Sequence, residues 1–116
     1  VFMGEKLFSF DELSEQAKVT SIKSFSEFYV RCYRSQNMEI LSQVPDQSML
    51  WQINQEVYRN KFESVEHAAK DTIIYCSHSY AKLLGELDMK YFANGNSEIT
   101  WNEWYDRQFV AAPHGV

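Results

Sequence analysis

Six apolar residues, Ala69, Ile73, Cys76, Tyr80, Leu83 and Leu87, recur at spacings of 4, 3, 4, 3 and 4. That period marks one face of an α-helix. The constraint reaches further upstream, because neither glycine nor proline occurs from Gln47 to Leu84. Drawn as one helix, that stretch would run about 57 Å at about 1.5 Å per residue. A compact domain of this length has a radius of gyration of only ~14 Å, so such a rod exceeds its diameter. A break is therefore expected near Asn60 to Ser64, with Ser64 capping a new helix. The first piece carries Leu50, Ile53, Val57 and Tyr58. The second carries Val65, Ala69 and the stripe, and ends at Gly85.

The rest of the chain reads around these two helices. Lys6 to Phe10 is a short extended lead-in. Ser9 and Glu12 have capping-box spacing, with Phe8 and Leu13 as the hydrophobic staple around it, and Ser14 is a rival helix start. The acidic cluster Asp11, Glu12 and Glu15 is explained by the dipole of a helix N-terminus and is assigned no function. A helix then runs to about Arg34, with Ile22, Phe25, Tyr29 and Cys32 as its stripe and Ala17 and Phe28 flanking it. Glu27 and Arg31 form an exposed pair four apart, and Arg31 and Arg34 suit the helix end. Ser35 to Asn37 ends this helix, and Pro45-Asp46 marks the next start. Past Asp88, Asn94-Gly95 predicts a type I′ hairpin that sets Lys90 opposite Ile99 and Tyr91 opposite Glu98. Thr100 and Glu103 then cap a short terminal helix. Residues 111–116 read as a frayed tail, and Met3 as the natural start.

The fold class expected is mostly α: one domain over residues 1–116, three to four helices around an aromatic-rich core, with a minor β element. An α+β arrangement is the alternative. A length of 116 residues supports one core. Aromatic residues make up 16%, too many for every ring to be interior in a domain this small. The net charge of −5 argues against direct nucleic-acid binding, which calls for a basic face. Cys32 and Cys76 lie on apolar helix faces and read as buried, reduced thiols. No apolar run approaches the ~20 residues of a membrane span, so the chain reads as cytoplasmic.

Chemistry-bearing combinations are few. Cys76 and His78 stand two apart on a helix and point away from each other, so they form no catalytic dyad. His67 and Asp71 share a face, and His114 or Glu63 can be drawn beside them, but no metal-ligand spacing is present. Asp88-Met89-Lys90 matches the carboxylate-x-lysine half of a metal-dependent nuclease site in three letters only. Ser77 and Ser79 lack a nucleophile elbow, and Gly4, Gly85, Gly95 and Gly115 are too scattered to build a phosphate loop. No catalytic residue, metal or cofactor is expected.

The surplus of large rings points instead to a protein partner. Trp101, Trp104, Tyr105 and Phe109 share helical spacing near the C-terminus, and Trp51 and Tyr58 flank the middle helix. Tryptophan and tyrosine dominate interface hot spots, so these six are the candidate partner-binding residues, although rings at helical spacing most often pack inward. A homodimer is one arrangement they allow.

Residues 7 to 18, Leu-Phe-Ser-Phe-Asp-Glu-Leu-Ser-Glu-Gln-Ala-Lys, resemble the N-terminus of small phage and mobile-element proteins labelled antitoxins of toxin–antitoxin stability systems. Tyr75-Cys76 on a helix, leading to Leu84-Gly85-Glu86-Leu87, is loosely similar too. The resemblance implies a phage or prophage origin. The function expected is a non-enzymatic inhibitor of a host defence nuclease, anti-CRISPR-like in kind. The alternatives are an antitoxin-like partner of a toxin and a small metal-dependent nuclease using Asp88 and Lys90. Carboxylates spaced like phosphates would favour the inhibitor, and an exposed apolar groove the antitoxin. Convergence of Asp88, Lys90 and a second carboxylate in a cleft would favour the nuclease.

Overall fold

The computed structural model describes residues 6–35, 48–87 and 89–111. Among them a 3-10 turn at Phe10–Glu12 precedes four α-helices: α1 (Glu15–Arg34), α2 (Ser48–Arg59), α3 (Val65–Glu86) and α4 (Trp101–Ala111). The mostly α expectation holds. Pro45, Asp88, His114, the chain start and residues 112–116 lie outside the described residues.

The two rival helix starts are both used, one after the other. Ser9 N–H donates to Glu12 Oε1 at 2.9 Å, closing the 3-10 turn. Ser14 then caps α1 by accepting from Ala17 N–H at 3.2 Å. The hydrogen bonds from Ser9 hold the Glu12 carboxyl below its usual range, with Lys6 and Lys90 adding to the effect. The expected break between α2 and α3 is present. Glu63 N–H bonds Asn60 C=O at 2.9 Å, and Ser64 Oγ accepts from His67 N–H at 3.1 Å.

α3 packs against both α1 and α2. It runs antiparallel to α1, since Gly85 in its last turn lies beside Asp11, just ahead of α1. Gln52 sets the register with α2: its carbonyl accepts from Cys76 Sγ at 3.6 Å and its side chain from Ser79 Oγ. Tyr29 Oη donates to Asn54 at 2.7 Å, and Arg34 donates to the Asn60 carbonyl at 2.9 Å, tying the C-terminal half of α1 to α2.

Phe25 is the centre of the core. It is fully buried, with ring centroids of Trp101, Phe28, Tyr29 and Tyr80 between 4.7 and 6.1 Å away. Of the α3 stripe, Ala69, Cys76, Tyr80 and Leu83 are buried, whereas Ile73 and Leu87 are only partly so. Cys76 has non-helical angles, φ −129° and ψ 23°, which mark a kink in the helix. Ser79 and Leu84 are buried on the same helix. Buried Thr72 stays satisfied, donating to the Ala69 carbonyl at 2.7 Å and accepting from Tyr80 Oη at 2.8 Å.

The β element consists of two antiparallel bridges, Tyr91 with Phe8 and Tyr91 with Ser97. Its register differs by one residue from the type I′ expectation, in which Tyr91 faced Glu98. Gly95 N–H bonds Phe92 C=O at 2.9 Å, and Phe92 N–H bonds Asn96 C=O at 2.8 Å. The loop is therefore three residues long, a turn through Ala93 and Asn94 followed by Gly95 at φ 94°. This arrangement buries Tyr91 completely and seats Gly95 against the Ala17 carbonyl. The terminal helix starts as expected, with Thr100 Oγ1 accepting from Glu103 N–H at 3.1 Å.

Burial pushes the Cys32 thiol up to about 11 and raises Cys76, Tyr29, Tyr80 and Tyr91 above their ordinary values. The unfolded chain releases these protons first, so between the unfolded and folded values the native state binds more protons and stability falls with rising pH. Midpoints of urea unfolding should hold steady up to about pH 8 and decline from about pH 9 upward. A midpoint that is unchanged, or rises, through that window would contradict the burial of these groups.

Candidate functional site

The structure divides the six candidate rings. Trp101, Trp104 and Tyr105 are 4%, 4% and 5% exposed and belong to the core. Trp101 meets Phe25 edge-on at 4.7 Å and stacks on Phe28 at 6.1 Å, and Tyr105 lies 6.2 Å from Phe28. As anchors for a partner these three are corrected: they seal α4 onto α1, and a partner reaches them only by opening the core. The Phe109 side chain lies outside the described residues.

Trp51 and Tyr58 are the opposite case, 63% and 57% exposed. The local cause is the pattern of α2. Met49, Leu50, Ile53 and Val57 occupy its buried face, and Trp51 and Tyr58, seven residues apart, fall on the outer one. Tyr33 of α1 joins them with Asn54, Gln55 and Arg59 around a shallow hollow of about 340 Å³. Phe62, in the turn after α2, is 92% exposed and continues the aromatic series four residues beyond Tyr58. Lys61 bridges the two. Its Nζ lies 4.2 Å from the Tyr58 ring centroid and 5.3 Å from that of Phe62, and it donates to Tyr58 Oη at 3.1 Å. This bond lowers the Tyr58 phenol below its usual range.

Phe62 and Tyr33 were absent from the sequence candidates. Phe62 carried a legible signal, a large apolar residue inside an expected helix break. Tyr33 carried none, because its position beside α2 depends on how the helices pack. The hollow offers ring faces flanked by amides and a guanidinium, chemistry suited to burying a peptide or protein surface.

Elsewhere the reactive groups stay apart. Cys76 is buried against α2 while His78 is exposed on α3. His67 and Asp71 form an exposed pair at 3.4 Å, and among the described residues no three metal-ligating side chains gather. Lys90 is exposed, and Asp88 lies outside the described residues. The carboxylates at the start of α1 are interleaved with Lys6, Lys18 and Lys90 and form no continuous acidic row there. No described helix is long and apolar enough to cross a membrane. Comparison with known proteins gives no match, whether to a family model, a curated protein or a solved structure.

Proposed function

We propose that this chain is a non-enzymatic binding protein whose protein partner docks on the outer face of α2. The observation that carries the reading is the exposure of Trp51, Tyr58 and Phe62 in one aromatic series beside a hollow. Large rings exposed to water at this density suit a surface completed by another protein. The partner class rests on small size, the net charge of −5, the lack of a catalytic motif and the phage origin that the resemblance of residues 7 to 18 implies. It is a host defence nuclease, blocked by occlusion in an anti-CRISPR-like manner, with a toxin as the alternative. An apolar groove between α1 and α3 is the kind of surface the antitoxin alternative calls for.

Efficiency of phage plating on a host with an active defence nuclease tests the reading. Expression of the protein should restore plating, and Trp51→Ala with Tyr58→Ala should abolish the rescue while leaving the melting curve close to wild type. Hot-spot rings typically contribute 2 kcal/mol or more, roughly a thirtyfold change in affinity. Rescue that survives the double substitution would remove the aromatic face from the function. Absence of rescue by the wild-type protein would remove the nuclease.

A further inference from the structure

A second surface lies between α1 and α3, a groove of about 680 Å³ that shares no lining residue with the aromatic hollow. Val19, Ile22, Ala69 and Ile73 supply its apolar floor. Val19 is 64% exposed, and Ile74, a helical neighbour of Lys70 and Ser77 on its lip, is 62% exposed. Four charged residues line it: Lys23 and Glu27 on α1, Glu66 and Lys70 on α3. None of the four joins an ion pair with another described residue, so the expected Glu27–Arg31 pair is not formed.

Their order matters. Lys23 precedes Glu27 on α1, and Glu66 precedes Lys70 on α3. Because the two helices are antiparallel, both glutamates come toward the C-terminal end of α1 and both lysines toward its N-terminal end. Each wall of the groove therefore runs from positive to negative in the same direction.

We propose that this face pairs with the same face of a second copy, about a two-fold axis that lies in the interface and crosses the groove at right angles. A two-fold interface must be self-complementary, and this charge order is. The rotation exchanges the ends, so Lys23 and Lys70 of each copy lie over Glu27 and Glu66 of the other. The exposed aliphatic side chains then interdigitate between two helix pairs, forming a four-helix layer of ordinary geometry. The aromatic hollow on α2 stays open in each copy, which would give the dimer two docking faces.

Sedimentation equilibrium on the 116-residue protein tests the pairing. The wild type should dimerise in the micromolar range and dissociate as salt is raised. Two double variants separate the faces, Glu27→Lys with Glu66→Lys and Lys23→Glu with Lys70→Glu. Each alone should lose on the order of tenfold or more in self-affinity, because like charges now oppose each other. Mixed in equal amounts, the two should restore a dimer containing one of each. Circular dichroism melts would establish that both variants remain folded. A wild type that stays monomeric across the micromolar range overturns the proposal, including when the groove takes up a foreign helical peptide instead. So does a dimer that persists in both double variants, a mixture that fails to associate, or a dimer dissociated by Trp51→Ala.

Discussion

Replacing Gly95 by alanine is expected to cost on the order of 3 kcal/mol or more, among the largest single effects in this chain. Two independent demands meet there. The backbone holds φ at 94°, a region side-chain-bearing residues rarely adopt. An added Cβ would also stand 2.1 Å from the Ala17 carbonyl oxygen and 2.9 Å from its carbon. Those atoms are backbone in the first turn of α1 and cannot swing aside as a side-chain tip can. Relief requires the loop to lift from α1, which disturbs the bridge that buries Tyr91. Gly85→Ala is the matched control. Its Cβ would meet only the Asp11 carboxylate, at an ordinary 3.6 Å, and alanine in a helix gains about 0.5–1 kcal/mol over glycine. In urea titrations the two substitutions should move the midpoint in opposite directions. Equal shifts would mean that the loop does not press on α1.

Phe25→Ala should cost about 3–5 kcal/mol, the range for a buried ring whose cavity cannot collapse. Phe25 is 0% exposed and touches rings from three helices, so no single element can move in to fill the space. A domain with about 5–15 kcal/mol of total stability would lose a large part of it. Near-ultraviolet circular dichroism should change as well, because the packing of Trp101 depends on this ring. Ile73→Ala, on the same face of the α3 repeat but lining the groove, should cost about 1 kcal/mol or less. If both substitutions shift the denaturation midpoint alike, the division of α3 into core and groove faces is wrong.

Much of the helix layout was legible because its signals are local or follow from size alone. Ser14 and Ser64 cap the helices they were expected to cap, and the α2–α3 break follows from the length of the run against the size of a compact domain. What failed depends on packing. Asn94-Gly95 is compatible with a two-residue and a three-residue loop, and the choice is made by Tyr91 entering the core and Gly95 meeting α1. Ile73 obeys the helical period yet lines the groove, since it stands at the edge of the buried face, where α1 and α3 leave an open space between them. For the candidate site the limit is similar. Spacing gathers Trp101, Trp104 and Tyr105 on one helix, but only the position of α1 decides that they face inward. Trp51 was legible as a flank residue, whereas Tyr58 was read both with Leu50, Ile53 and Val57 and on the flank; the structure buries Met49 with those three and leaves Tyr58 outside.

The bridge between Phe8 and Tyr91 joins positions 83 residues apart, counted as 91 − 8. The entropy of closing such a span grows only with the logarithm of its length, and even doubling it would cost about 0.6 kcal/mol. Chain length between these two points is therefore thermodynamically cheap, and evolution is free to spend it wherever the local joint permits. The turn of Lys61, Phe62, Glu63 and Ser64 is exposed throughout and can lengthen into water. The turn at Ala93 to Gly95, just beyond that span, cannot lengthen in the same way, because it rests on the backbone of α1. Of these two described turns, only the one at the end of α2 can take up added length, and it is the edge that carries the aromatic series, so that new length there would arise as new binding surface.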